Sequence, residues 1–193
     1  IDGEVTTRQF YLPDSNVLVT RFLSEDGVAE VQDLMPIARP HDPDHRTRII
    51  RRVSCVRGSV EFRVTVAPRF DYGRQAHTVV VEDERRLRFE TDDLVLHLAS
   101  TVDVDTVDDR DAQAHFTVET GQCVTFVLAP DPIGSEVLDH DSSPAVVAAT
   151  VAFWQDWVSR SSYTGRWREM VHRSALTLKL LTHEPSGAVV SAV

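Results

Sequence analysis

The stretch QCVTFVLAPDPIGSEVLDHDSSPAVVAATVAFWQDWV, residues 122–158, contains a change in the spacing of its apolar residues. Residues 122–128 are typical of a strand, because aromatic and β-branched side chains dominate a short run that begins at a turn. Further along, Ser143 and Pro144 supply an N-cap and a proline at the first helical position. An apolar stripe at helical spacing follows, in Val147, Val151, Trp154 and Val158, widened by Phe153 and Trp157. The chain is therefore predicted to change from strands to helices near residue 130.

Residues 1–130 show the alternation of apolar and polar side chains that is typical of strands. Phe62, Val64 and Val66, for example, are separated by polar residues. Further strands are predicted near 16–23, 28–34, 47–57, 78–82, 85–90, 94–98, 102–104, 116–118 and 122–128. About ten short strands without helical crossovers imply antiparallel sheets, and one polar face per strand implies two sheets closing on one core. The prediction is a mainly β fold, an antiparallel two-sheet β-sandwich.

After the sandwich, residues 131–141 are predicted to form a loop, followed by two α-helices. The second helix carries a stripe of Trp167, Val171, Ser174, Leu178 and Leu181. These helices contain all three tryptophans of the chain, and such wide apolar stripes need a surface to cover. The sandwich would supply part of that surface, and a helical neighbour the rest.

The charge of the chain excludes several classes of partner. In 193 residues, 30 acidic side chains outnumber 20 basic ones, which gives a formal net charge of −10. Nucleic acid and anionic membrane surfaces are therefore excluded as partners, and no apolar run approaches the roughly 20 residues that span a bilayer. The chain starts at Ile1 and ends in an apolar segment at Val193, which is typical of a piece excised from a longer protein.

Candidate metal and cysteine sites have simpler interpretations. Cys55 and Cys123 both lie in strand-like stretches, so buried thiols are favoured over a single disulfide. The segment 36–45 holds two histidines and two aspartates, but its prolines favour a rigid solvated loop over a metal site. The acidic residues between Asp103 and Asp111 favour a solvated sheet edge over a calcium loop. Neither a metal nor a cofactor is predicted.

The segment PRFDYGR, residues 68–74, is the densest cluster of polar and aromatic side chains. Arg69, Asp71, Tyr72 and Arg74 surround a tight glycine turn, and such a set could bind sugar hydroxyls or hold a neighbouring domain. The alternative is a structural loop in which Arg69 and Asp71 pair locally. Signatures of a nucleophile elbow, a dinucleotide loop, a phosphate loop or a zinc helix are absent from the chain.

The order of several motifs along the chain is informative. YLPDSNVL at 11–18, VQDLMP at 31–36 and PRFDYGR at 68–74 come first. FWQDW at 153–157, RSALTLKLLT at 173–182 and PSGA at 185–188 follow. Together these motifs resemble the amino-terminal region of bacterial glycoside hydrolases of family 15, the glucoamylase- and trehalase-like enzymes. The resemblance covers nearly all of the chain.

This resemblance implies a supersandwich-like β-sandwich over 1–130, a linker loop and linker helix over 131–165, and the start of an (α/α)6 barrel over 166–193. The family hydrolyses α-glucosidic bonds of starch-type oligosaccharides or trehalose with inversion. Its two catalytic glutamates lie in the barrel, beyond the end of this chain, so no catalytic residue is carried over. The implied partners are the chain's own carboxy-terminal barrel and, through it, an α-glucoside.

The resulting prediction is a non-catalytic domain that supports the barrel and shapes one rim of its cleft. The predicted contact residues are Arg69, Asp71, Tyr72 and Arg74, and the predicted interface helices carry Trp154, Trp157 and Trp167. The alternatives are an independent carbohydrate-binding module and an interaction module without a sugar ligand. The low cysteine count favours a reducing compartment, which for a bacterial protein is the cytoplasm.

Overall fold

Ten strands precede three α-helices in the computed structural model, which describes residues 5–37, 47–183 and 186–190. The strands are β1 (Thr6–Tyr11), β2 (Leu18–Leu23), β3 (Gly27–Leu34), β4 (Ile49–Val66), β5 (Thr78–Asp83), β6 (Arg86–Glu90), β7 (Val95–Ser100), β8 (Asp105–Val107), β9 (Asp111–Glu119) and β10 (Cys123–Ala129). The helices are α1 (Ser135–Ser142), α2 (Pro144–Ser159) and α3 (Arg168–Leu180). The predicted class, antiparallel strands followed by helices, is confirmed.

The long strand β4 joins the two sheets of the sandwich. Its first half pairs with β3 and β10 in a sheet of order β1-β2-β3-β4-β10-β7-β6-β5. Its second half pairs with β9, which in turn pairs with β8. β4 passes from one sheet to the other at Gly58. Glycine is required there, because φ is 79° and a Cβ atom would lie 2.0 Å from the Asp26 carbonyl oxygen.

The two sheets enclose an aromatic core. Phe62 of β4 stacks on Phe116 of β9 at 5.9 Å between ring centroids and meets Phe22 of β2 edge-on at 5.7 Å. Edge-to-face and offset aromatic pairs of this kind contribute beyond the area that they bury. Phe89 is fully buried in the same cluster. The sandwich is thus held by the apolar faces that the alternation predicts.

The other face of the first sheet is also covered, at its centre, by helices. Ile50 and Val127, whose side chains point away from the sandwich core, pack with Val146 and Val147 of α2. The centre of this sheet is therefore buried on both faces, so the expectation of one polar face per strand is wrong there. Strands covered on both sides have continuous apolar runs, and β10 is such a strand.

Helix α2 begins as predicted, because the Ser143 hydroxyl accepts a hydrogen bond from the Ala145 amide at 3.2 Å and Pro144 occupies the first turn. The loop predicted over 131–141 is wrong, since residues 135–142 form α1. Helix α1 is stabilised by contacts with residues that are distant in sequence. The fully buried Asp141 carboxylate accepts hydrogen bonds of 2.5 and 2.9 Å from Arg48, just before β4.

Two further expectations are corrected. Val102 and Val104 do not lie in a strand, because their amides bond to the Ser100 hydroxyl and the Glu84 carbonyl instead of a neighbouring strand. Cys123 is exposed at the first position of β10, whereas Cys55 is buried as predicted. Both thiols are free.

Among the described residues, no helix is both long and apolar enough to cross a membrane.

Candidate functional site

The four predicted contact residues lie together on one rigid projection, the Tyr72 loop, which comprises residues 69–74. Phe70 anchors it, because its ring is buried in the sandwich core and lies 5.1 Å from the His77 ring. Asp71, Tyr72 and Gly73 then adopt φ values of 46°, 57° and 80°. This left-handed run turns the chain outward and leaves Tyr72 94% exposed.

Arg69 fixes the start of the Tyr72 loop to strand β9. Its guanidinium donates to both oxygens of the Asp111 carboxylate, at 2.7 and 3.1 Å, and to the Pro68 carbonyl at 2.8 Å. These hydrogen bonds lower the pKa of Asp111 and raise the pKa of Arg69. The local pair of Arg69 with Asp71, which belonged to the alternative of a structural loop, is wrong, since the partner lies 42 residues away.

Arg74 fixes the end of the same loop. Its side chain donates to the Asp71 carboxylate at 2.7 Å and to the Asp71 carbonyl at 3.1 Å. The guanidinium carbon also lies 5.7 Å from the centre of the Tyr72 ring, within the range of a cation–π contact. The loop therefore presents one aromatic face, one carboxylate and one guanidinium within a few residues.

The pairing of Arg69 with Asp111 predicts a dependence of stability on pH. Because the folded state lowers the pKa of Asp111 below its ordinary value of 3.8, the pair stabilises the fold above that pH. The contribution should disappear as the pH falls below 3.8 and through the folded-state pKa. Asp111→Asn should therefore melt below the wild type at pH 7, and the two melting temperatures should converge under acid. Asp109→Asn, in the same turn, is the matched control; a gap that persists unchanged at pH 2 to 3 contradicts the assignment.

A second feature is the contact between α2 and α3. Trp154 is 3% exposed and packs with Val158 and Leu176, while the rings of Phe153 and Trp157 lie 5.2 and 6.4 Å from it. Trp154 therefore stabilises the helix pair and adds nothing to an exposed surface. Trp157 is half-buried, and Trp167, just before α3, is 51% exposed.

The loop between β1 and β2, residues 12–17, holds α3 against the sandwich. Asp14 lies 3.0 Å from Nδ1 of the buried His172. Arg173 donates to the Ser15 carbonyl at 2.7 Å and to the Asn16 side chain, and lies 4.1 Å above the Tyr11 ring. The motifs YLPDSNVL and RSALTLKLLT, about 160 residues apart in sequence, thus meet in space, which the sequence analysis did not predict.

The outward face of α3 exposes large apolar side chains beside Ser174 and Thr177. Met170 and Leu178 are 65% and 56% exposed, and Trp167 lies beside them on the helical wheel. The buried face of α3 instead presents His172 and Leu176. The stripe predicted from Trp167 to Leu181 is therefore the outward face of the helix.

Other candidate sites are less developed. An open depression of about 530 Å³ between the β5–β6 turn and α1 is lined in part by Arg85 and Arg86, which already pair with Asp103 and Asp83. Among the described residues, no group of three or more His, Cys, Asp or Glu side chains could hold a metal ion. The His and Asp residues of 41–45 lie outside the described residues. The acidic segment contributes Asp103 and Asp111 to ion pairs with arginines.

Comparison with known proteins gives a consistent set of relatives, although no family model matches the chain. It is 28% identical to a trehalase of Mycobacterium tuberculosis over 97% of the chain and 31% of the trehalase. A trehalase of Mycolicibacterium smegmatis is 27% identical over 94% of the chain and 30% of its own length. A trehalase of Thermoplasma volcanium is 28% identical over 98% of the chain and 30% of its own length.

One solved structure has a similar fold. A putative kojibiose phosphorylase from human microbiome superposes with a TM-score of 0.55 over 91% of this chain and 29% of that one, at 8% identity. The chain thus spans about a third of the length of the proteins that it matches. The predicted resemblance is confirmed: the chain is similar to trehalases over nearly its whole length, and its fold is similar to part of the phosphorylase.

Proposed function

We propose that this chain is the non-catalytic amino-terminal part of a hydrolase that cleaves α-glucosidic bonds, of glucoamylase or trehalase type. In this proposal residues 1–130 form the supporting sandwich, 131–165 the linker, and 166–193 the start of an (α/α)6 catalytic barrel. The observation that carries the proposal is the outward face of α3. It exposes Trp167, Met170 and Leu178 while the opposite face is clamped to the sandwich. A helix that is held on one face and exposes large apolar side chains on the other is suited to lie between two bodies.

Two of the described carboxyl groups, Asp83 and Asp111, have properties that do not suit a catalytic acid. A glycosidase needs one carboxylic acid with a raised pKa to protonate the leaving oxygen and one carboxylate to act as base. Here Asp111 and Asp83 both have lowered pKa values, because each accepts hydrogen bonds from the arginines or amides beside it. Carboxylates held in this way are poor proton donors near neutral pH.

The proposed reaction is inverting, and the acids that perform it belong to the barrel. Inversion requires two carboxyl groups about 6.5–9.5 Å apart, with the attacking water between substrate and base. The domain described above would hold α3 in place through Asp14 and Arg173, so that the barrel assembles on a fixed first helix. The Tyr72 loop would contribute to the rim of the cleft. The substrate would be trehalose or a starch-type oligosaccharide.

We expect purified residues 1–193 to release no glucose from trehalose or maltose, whereas the longer parent protein should release it from at least one of them. The reason is that the proposed acid and base lie outside this chain. Glucose oxidase assays measure the release, and early NMR spectra of maltose digests identify the anomer. Inversion should give β-glucose first. Sustained hydrolysis by the purified 193-residue chain, or an inactive parent protein, contradicts the proposal.

A further inference from the structure

Tyr72 is presented to solvent at an energetic cost. Its side chain is 94% exposed, compared with 39% for Phe10 and 51% for Trp167. Asp71 and Tyr72 are consecutive non-glycine residues in the left-handed region, which side-chain-bearing residues rarely adopt. The cation–π contact of the ring is with Arg74, which belongs to the same loop. Such an arrangement is typical of a residue whose contact lies outside the domain.

The loop is also held rigidly. Phe70 is buried below it, the pair of Arg69 with Asp111 fixes its start, and the pair of Arg74 with Asp71 fixes its end. A preorganised aromatic ring loses little conformational entropy when it binds a ligand. These three anchors are therefore positioning groups, and the Tyr72 ring is the element that they present.

Strand register places the Tyr72 loop at the same end of the first sheet as the loop that holds α3. Tyr11 ends β1 and Ala129 ends β10 at this end, while Thr78, a few residues after the Tyr72 loop, starts β5 there. Each strand of the order β1-β2-β3-β4-β10-β7-β6-β5 is antiparallel to the next, so the end of one strand and the start of its neighbour lie at the same end of the sheet. The loop that holds α3 lies beside edge strand β1 and the Tyr72 loop beside edge strand β5, so the two loops share one end of the sheet at its opposite edges.

The surroundings of Tyr72 favour a sugar over a protein partner. Its sequence neighbours Asp71, Gly73 and Arg74 are all exposed and carry charge or no side chain. A stable protein interface requires roughly 800 Å² on each side with an apolar centre, which a single ring among charges does not supply. A pyranose ring combines a C–H face that can lie on an aromatic ring with hydroxyls that bind carboxylates and guanidiniums.

We infer that Tyr72 is a substrate-contacting residue: its ring stacks on a glucosyl unit at the rim of the cleft, with Asp71 and Arg74 bonding the sugar hydroxyls. The inference rests on the proposed function and adds a specificity residue to it. Phenylalanine at this position keeps the stacking surface, and alanine removes it. The test uses the parent protein, because the proposed cleft is formed by the barrel together with the Tyr72 loop of the sandwich.

The experiment measures kcat and KM of the parent protein and its variants with trehalose, maltose and maltotriose. Tyr72→Ala should raise KM about tenfold on the preferred probe, with kcat within about threefold, because stacking binds ground state and transition state alike. Tyr72→Phe should stay within about threefold of the wild type. Val56→Ala is the control, since Val56 is also an exposed apolar residue, at 54%, and lies in β4 near Gly58, at the other end of the first sheet. It should leave both constants unchanged.

Each remaining outcome overturns one statement. A wild-type parent that cleaves none of the three sugars overturns the proposed function, and the inference with it. An active parent whose Tyr72→Ala variant keeps the wild-type KM overturns the inference alone. If Tyr72→Ala instead lowers both the melting temperature and kcat, the loop is a domain interface, and the sugar contact is likewise rejected.

Discussion

Replacing Trp154 with alanine should lower the free energy of unfolding of residues 1–193 by about 3–5 kcal/mol. Trp154 is 3% exposed and is the largest side chain between α2 and α3, where Val158 and Leu176 complete a small apolar cluster. The substitution leaves a cavity that the two helices cannot close without moving. We expect α3 to separate from α2, so the loss should include part of the helical signal as well as stability.

Urea denaturation followed by far-ultraviolet circular dichroism measures this effect. Trp167→Ala is the matched control, because it removes the same side chain from the same helical region at a position that is 51% exposed. Its effect should stay within about 0.5 kcal/mol, as for surface substitutions in general. Equal losses from the two variants would show that the helix pair is not held by the Trp154 cluster.

The sequence predicted the parts of this fold that depend on local chemistry. Alternation at Phe62, Val64 and Val66 predicted the second half of β4, and Ser143 with Pro144 predicted the start of α2. These signals work because side-chain period and capping act within a few residues. The change from strands to helices after residue 130 follows from the same local rules.

Features that depend on distant contacts were missed. Helix α1 has a weakly apolar sequence, and its buried Asp141 is stabilised by Arg48, 93 residues earlier. The alternative of a structural loop paired Arg69 with Asp71, but the partner of Arg69 is Asp111 on another strand. Local periodicity carries no information about such pairs.

The backbone of the Tyr72 loop was also beyond sequence reasoning. Gly73 indicates a turn, but the left-handed conformations of Asp71 and Tyr72 are rare for non-glycine residues. They arise because buried Phe70 and the two arginine pairs constrain the chain on both sides. The cluster of candidate residues was therefore predictable, whereas its geometry and the exposure of Tyr72 were not.

The two faces of α3 could not be distinguished by hydrophobicity alone. Leu176 and Leu178 are chemically identical and two residues apart, yet Leu176 is 1% exposed and Leu178 is 56% exposed. The sequence stripe contained Leu178, whereas contact with α2 buries Leu176. In the proposed function both are core residues, Leu176 toward α2 and Leu178 toward the barrel.

Leu178→Asp should therefore have a small effect in residues 1–193 and a large effect in the parent protein. In the shorter chain the side chain faces water, and the cost should be about 0.5 kcal/mol, from the weaker helix propensity of aspartate. In the parent the same carboxylate would be buried against apolar side chains of the barrel. An uncompensated buried charge costs about 3–5 kcal/mol, so the parent should melt many degrees lower and lose activity.

Val81→Asp on edge strand β5 is the matched control, because Val81 is also 56% exposed and apolar. It introduces the same charge on an apolar surface of equal exposure, but away from α3, so its effect should be small in both the shorter chain and the parent. The comparison uses the melting temperatures of both variants in residues 1–193 and in the parent, each measured against the unsubstituted protein of the same length. Since only Leu178 lies on the face assigned to the barrel, the cost specific to Leu178→Asp in the parent measures how far that face is buried. Equal, small losses for both substitutions in the parent would mean that the outward face of α3 stays in water, and the assignment of α3 as the first barrel helix would then be wrong.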